Sequence, residues 1–108
     1  MLRQALTDEK LQFDKVTLDA QRAQVTGPNG THRLTPKESD LLTLFMHHPG
    51  QVISRRSLMK VVWETDFLDD TRTLEVHICL LRKKIEANPN RPRYLRTVRG
   101  KGYGFGLE

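Results

Sequence analysis

Apolar positions along this chain change their period twice. Between residues 11 and 34 they alternate with polar ones in short runs, 11–13, 16–18, 23–25 and 31–34, separated by Asp14-Lys15, Asp19-Ala20-Gln21 and Gly27-Pro28-Asn29-Gly30. Alternation broken by turn formers predicts a small antiparallel meander, whose Leu, Phe and Val face must pack on helices because strands this short are marginal alone. The spacing then becomes helical. Thr35-Pro36-Lys37-Glu38 combines an N-cap, a proline at the first helical position and a glutamate three residues after the cap, which is a capping box. Leu41, Leu42, Leu44, Phe45 and Met46 carry this helix to His47-His48, and Pro49-Gly50 stops it. Ser54 caps a second, short helix over 55–62 with Leu58, Val61 and Val62 turned inward, and Trp63 closes that unit. After the acidic, aperiodic stretch 64–70, a third helix opens at Arg72 with Asp70 or Thr71 as its cap, and ends near Asn88-Pro89-Asn90. Alternation returns over 94–98 and 103–107, two strands joined through Arg99-Gly100-Lys101-Gly102.

The third helix has two distinct faces. Leu74, Ile78, Leu81 and Ile85 form one narrow stripe that belongs to a core. At about 100° per residue, Arg72, Val76, Cys79 and Lys83 fall on the opposite side, with Leu80 beside them. A face serving only as solvent contact carries mixed charges, whereas this one sets apolar atoms between two cations. That combination suits a DNA major groove, where phosphates and guanine edges attract the cations and thymine methyls offer apolar partners. A sheet, three helices and a hairpin in this order make a winged helix. In that fold the last helix enters the major groove and the wing follows the backbone or minor groove.

Composition narrows the partner class. A chain of 108 residues forms one domain, and 18 Lys plus Arg against 13 Asp plus Glu give a net charge of +5, which favours a polyanion. Nucleic acid leads and a membrane surface comes second. No apolar run approaches the ~20 residues of a bilayer span, and Met1-Leu2-Arg3-Gln4-Ala5-Leu6-Thr7-Asp8 lacks the continuous apolar segment of a secretory signal, so a cytoplasmic protein is expected. Residues 1–10 read as a linker or flexible end and 11–108 as the folded domain. Cys79 is the lone cysteine, which excludes an internal disulfide and makes a poor metal site. The glycine-rich stretch 100–106 lacks the Walker spacing, and no nucleophile and base pair stands out, so neither an enzyme nor a cofactor is expected.

Several motifs resemble one family in its own order. They are Leu34-Thr35-Pro36-Lys37-Glu38, His48-Pro49-Gly50-Gln51-Val52-Ile53-Ser54-Arg55, Val62-Trp63, Arg72-Thr73-Leu74-Glu75-Val76-His77-Ile78 and Arg96-Thr97-Val98-Arg99-Gly100-Lys101-Gly102-Tyr103. Over residues 11–108 the chain resembles the C-terminal effector domain of OmpR/PhoB-type response regulators. The resemblance implies an α+β winged helix-turn-helix: a four-stranded antiparallel sheet, three helices and a C-terminal hairpin, acting in bacterial transcription. It implies a receiver domain that this chain lacks, phosphorylated by a sensor histidine kinase, and effector domains that are monomeric in isolation and pair head to tail on direct repeats. It places Arg72 and Val76 at bases, His77 and Arg82 near phosphates, Thr97 on the backbone and Arg99 in the minor groove. It also implies phosphate contacts at Arg55 and Arg56 on the second helix. The loop containing Trp63, Glu64, Asp66, Phe67, Asp69 and Asp70 matches the segment that touches RNA polymerase in activators.

Residue chemistry adds Lys83 and Lys101 to the expected phosphate set, and Cys79 and Leu80 to the base-reading set. The last two depart from the family, which commonly carries polar or basic residues there. Leu80 cannot donate to guanine, so weight is expected on A·T pairs and DNA shape at that position. Plainer readings stand beside these. Arg72 can pair with Asp69 or Asp70, His77 can be a partly buried histidine bonded to a neighbour, and Val76, Cys79 and Leu80 can form a protein-docking patch.

Overall fold

A computed structural model describes residues 10–65 and 71–107. Its first four strands, β1 Lys10–Phe13, β2 Val16–Asp19, β3 Gln24–Gly27 and β4 Gly30–Arg33, form an antiparallel meander in sequential order. The register places Leu11, Leu18, Val25 and His32 in one row and Phe13 opposite Val16 in the next, which gathers the apolar side chains on one face. Strand β3 begins one residue later than its alternation suggests, because Ala23 sits in the left-handed region at φ 51°.

Helix α1 (Pro36–His47) starts with the expected capping box: Glu38 N–H donates to the Thr35 hydroxyl, and Thr35 N–H to the Glu38 carboxylate. The buried Glu38 carboxylate also accepts from Lys84 Nζ at 2.7 Å, and the same ammonium donates to the Arg33 carbonyl at 2.8 Å. Burial pushes the Glu38 carboxyl up. The Lys84 hydrogen bond, the Thr35 amide and the Lys84 charge together outweigh that push and hold it below its ordinary value.

Helix α2 (Arg55–Trp63) is capped by Ser54, which accepts from Ser57 N–H. One inward residue differs from expectation. Val61 is 59 % exposed, and Met59 is buried instead. The inward stripe runs through Arg55, Leu58, Met59 and Val62, an i, i+3, i+4, i+7 series that leaves Val61 well off its arc. Helix α3 (Arg72–Ile85) has Thr71 at its N-cap, without a side-chain capping bond. It buries Leu74, Ile78, Leu81 and Ile85 as expected, each worth about 1.5–3 kcal/mol of apolar transfer. It ends at Ile85, short of Asn88, because Glu86 turns extended at φ −94°, ψ 139°.

The wing is the hairpin β6 (Leu95–Val98) and β7 (Gly102–Phe105), and it gains a strand that alternation did not reveal. Strand β5 (Val52–Ile53) pairs antiparallel with β7, giving the order β5-β7-β6. Two residues are too few to show a period. Gly102 permits this pairing: its φ is +146°, and a Cβ there would overlap the Ile53 carbonyl. Phe45, Leu41, Leu42, Leu58 and Phe105 are fully buried in the core that the sheets share with α1, α2 and α3. Among the described residues no helix is long and apolar enough to cross a membrane.

Candidate nucleic-acid interface

Burying the apolar stripe of α3 turns the opposite face outward. Arg72, Cys79 and Lys83 are exposed there, Val76 is 55 % exposed and Leu80 37 %. Large apolar side chains this open, flanked by cations, are unusual on a helix whose other face is fully buried. Glu75 stands on the flank of this surface, in the first turn where an acid suits the helix dipole.

The last turn of α3 is held on several sides. Asn29, in the β3–β4 turn, donates from Nδ2 to the Lys83 carbonyl at 2.8 Å and to the Glu86 carbonyl at 3.2 Å. Gly27 lets this turn approach, since a Cβ would come within 3.1 Å of the Ile85 carbonyl oxygen. The Glu86 carboxylate is fully buried and accepts backbone N–H groups from Arg93 (2.7 Å), Tyr94 (3.1 Å) and Leu95 (2.8 Å). Arg82 donates from Nε to the Leu95 carbonyl and from Nη2 to the Thr97 hydroxyl, each at 2.8 Å. The end of α3 and strand β6 are therefore joined by hydrogen bonds from charged side chains, buried at Glu86 and more open at Arg82.

Tyr103 packs between two cations. Its ring centroid lies 5.2 Å from the Arg55 guanidinium carbon and 6.0 Å from that of Arg82, joining the starts of α2, α3's flank and β7. Arg56, the next residue of α2, is exposed. At the wing tip Arg99, Gly100 and Lys101 are exposed, with Lys101 N–H donating to the Val98 carbonyl and Gly100 at φ +76° closing the turn.

Two expected contact residues are engaged within the protein. His77 is half-buried, donates from Nδ1 to the Thr73 carbonyl at 2.7 Å, and meets the Trp63 ring edge to face at 5.0 Å. Arg82 serves the wing as just described. Of the loop matched to polymerase contact, Trp63 ends α2 half-buried and Glu64 is an exposed C-cap in the left-handed region. Asp66, Phe67, Asp69 and Asp70 lie outside the described residues. No group of three or more His, Cys, Asp or Glu side chains suited to a metal occurs among the described residues.

Glu86, Asn29 and Tyr103 were not singled out by sequence reasoning. An acid directly after the last stripe residue of a helix is disfavoured by the dipole, and that mismatch was the available signal for Glu86.

Residues 29–105 match the model of the family described as "Transcriptional regulatory protein, C terminal". The chain belongs to this family, that of the OmpR/PhoB-type response regulators. The alkaline phosphatase synthesis transcriptional regulatory protein SphR of Synechococcus elongatus is 45 % identical over 102 residues, covering 94 % of this chain and 40 % of the relative. The RstA DNA-binding domain of Klebsiella pneumoniae, solved in complex with the RstA box, superposes with a TM-score of 0.78 at 31 % identity, covering 90 % of this chain and 96 % of that one. The response regulator DrrB of Thermotoga maritima, described as an OmpR/PhoB homologue, gives 0.77 at 32 % identity over 89 % of this chain and 43 % of its own. The chain spans about two fifths of the length of the curated relatives it matches.

Proposed function

We propose that this chain is the sequence-specific, duplex-DNA-binding effector domain of a bacterial response-regulator transcription factor. The observation that carries the reading is the outward face of α3, apolar at Val76 and Leu80 between Arg72 and Lys83, braced through Arg82 and Glu86 against a wing tipped by Arg99 and Lys101. In this reading α3 lies in the major groove, where Arg72, Val76, Cys79 and Leu80 select sequence. Arg55, Arg56, Lys83, Thr97 and Lys101 hold phosphates and supply affinity that falls with salt. Arg99 reaches the minor groove. The half-buried placement of His77 and Arg82 supports positioning as their main work, with Arg82 presenting the Thr97 hydroxyl.

The longer regulator carries a receiver domain phosphorylated by a sensor histidine kinase, and paired effector domains occupy direct repeats head to tail. The segment from Trp63 to Asp70 is the surface offered to RNA polymerase. The family is one of transcriptional regulators, so the domain acts by binding rather than by catalysis, in the cytoplasm.

Selection of bound duplexes from a random pool at near-physiological salt tests the reading, with Arg72→Ala alongside. The expected outcome is a direct-repeat motif that the variant loses or degrades. A folded domain that enriches no motif and loses no duplex affinity as salt rises, while keeping a protein partner, would overturn it in favour of a protein-docking module.

A further inference from the structure

The two ends of α3 are held by different kinds of contact. Its last turn is tied by hydrogen bonds from Asn29 and Arg82 and by the Glu86 carboxylate. At its first turns Leu74 and Ile78 bury on the apolar stripe, which sets how deep the helix sits but, being non-directional, leaves it free to move sideways. Thr71 adds no side-chain capping bond. A directional contact does serve this end: the His77 ring meets the Trp63 ring with centroids 5.0 Å apart and planes at 82°. We infer that Trp63 is a positioning residue for DNA reading, fixing through His77 the lateral placement of the turns that carry Arg72 and Val76. The inference rests on the DNA-binding reading above and gives Trp63 work on the reading helix, apart from the polymerase-facing segment that it borders.

Three observations converge. First, His77 stands on the flank of α3: at about 100° per residue it falls between the buried Leu74 and Leu81 and the outward Val76 and Leu80. A contact on the flank opposes the sideways motion that the stripe permits. Second, both partners are themselves held. His77 Nδ1 donates to the Thr73 carbonyl at 2.7 Å, so its ring cannot swing away from the helix. Trp63 ends α2 half-buried against the core cluster, on a helix capped by Ser54 and anchored by Leu58, Met59 and Val62. Third, the reading residues lie where a loose end moves most. With the last turn fixed, Arg72 is about 20 Å from Ile85 along the axis and Leu80 about 8 Å, at ~1.5 Å rise per residue. A pivot of about 3° therefore carries Arg72 sideways by about 1 Å and Leu80 by about 0.4 Å, and the first of these shifts takes a hydrogen bond to a base edge out of range.

The test compares wild type, Trp63→Leu, His77→Ala and the double variant, each in the whole chain, on the selected operator and on its single-base-pair substitutions across a salt series. Thermal unfolding sets a temperature at which every protein is folded, and Arg72→Ala and Leu80→Ala mark the base pairs read at the two ends of the face. Trp63→Leu should lose about 10-fold of its discrimination at the pair marked by Arg72, the size of one base contact, and less than about 2-fold at the pair marked by Leu80. Its slope of log K against log salt should stay within about 0.3 of wild type, because no phosphate contact is removed. His77→Ala should lose discrimination at the same pair, and the double variant should lose no more than either alone, as two residues acting through one contact require. A Trp63→Leu protein that is less stable yet discriminates fully at both pairs overturns the inference and leaves the DNA-binding reading intact, as does additive loss in the double variant. If Trp63→Leu does not fold, His77→Ala decides alone: full discrimination overturns the inference, and loss confined to the Arg72 pair upholds it. Wild type that enriches no operator overturns the DNA-binding reading and this inference together.

Discussion

Replacing Glu86 by glutamine should cost more stability than almost any other single polar change in this domain. The carboxylate is fully buried and makes contacts of 2.7, 3.1, 3.1 and 2.8 Å with the N–H groups of three successive residues. Hydrogen bonds to a charged partner contribute roughly 1.5–3 kcal/mol each. Glutamine keeps one acceptor oxygen and turns an NH2 group toward either Arg93 or Leu95, so one amide loses its acceptor and faces a donor. The neutral side chain also escapes the cost of burying a charge, which offsets part of the loss. A net destabilisation of about 2–4 kcal/mol follows, against the ~5–15 kcal/mol that holds a domain of this size. At about 4–8 °C per kcal/mol, the thermal midpoint should fall by roughly 8–32 °C. Urea and thermal unfolding followed by far-ultraviolet circular dichroism measure both quantities, and amide exchange should accelerate first at residues 93–95. A Glu86→Gln protein within about 0.5 kcal/mol of wild type would refute the reasoning, because a buried acceptor of three amides cannot be exchanged at surface cost.

Three further outcomes follow from the geometry. Lys83→Ala should weaken binding to all duplexes alike and flatten the salt slope by about one unit, whereas Val76→Ala should mainly relax sequence preference; a sequence-dependent loss in Lys83→Ala would contradict the division of roles. Gly102→Ala forces a Cβ into the Ile53 carbonyl at a φ that disfavours side chains, so it should destabilise by about 2–4 kcal/mol in urea titration, and an unchanged midpoint would show that β5 pairing yields without cost. The depressed folded-state value of Glu38 means that its ion pair with Lys84 stabilises the fold above the ordinary carboxyl value of 4.5 and is lost as pH falls through the lower folded value. Urea midpoints taken between pH 3 and 6 should therefore fall in acid, and fall less steeply in Glu38→Gln; parallel profiles for the two proteins would assign the acid loss to other groups.

What the chain made legible was what short-range chemistry encodes. The capping box at Thr35 and Glu38, the proline and glycine that stop α1, and the stripe of α3 each depend on neighbours within one turn or one heptad, and each stands as expected. Val61 faces outward against expectation because nine residues with five apolar side chains allow more than one inward arc. Tertiary contact chose the arc that Arg55 and Met59 share. Strand β5 escaped notice because its pairing partner, β7, lies some fifty residues downstream and two residues carry no alternation. The cationic and apolar face of α3 was readable from periodicity, but the groups that hold it were not: Asn29 reaches a carbonyl 54 positions away, and Lys84 one 51 away. Side chain to backbone bonds at such separations leave no pattern in composition or period.

Those unpatterned bonds determine how the reading surface is presented. Arg82 connects the last turn of α3 to β6, Lys83 connects it through its carbonyl to the β3–β4 turn, Lys84 to β4 and α1, and Glu86 to the N–H groups of residues 93–95. The first turns, which carry Arg72 and Val76, turn Leu74 and Ile78 inward and set His77 against the Trp63 ring. These hydrogen bonds gather at the C-terminal end of the helix, the end away from Arg72 and Val76. Clamping there costs no exposed cation of the reading face, because Lys83 contributes its carbonyl and keeps its ammonium outward. Loosening the clamp must displace helix and wing together, since Arg82 and Glu86 hold β6 to the same turn. A folded Arg82→Ala domain should accordingly lose base preference and wing contacts in parallel in a footprint, and retention of the major-groove footprint beside a lost wing footprint would show that α3 is positioned independently of β6.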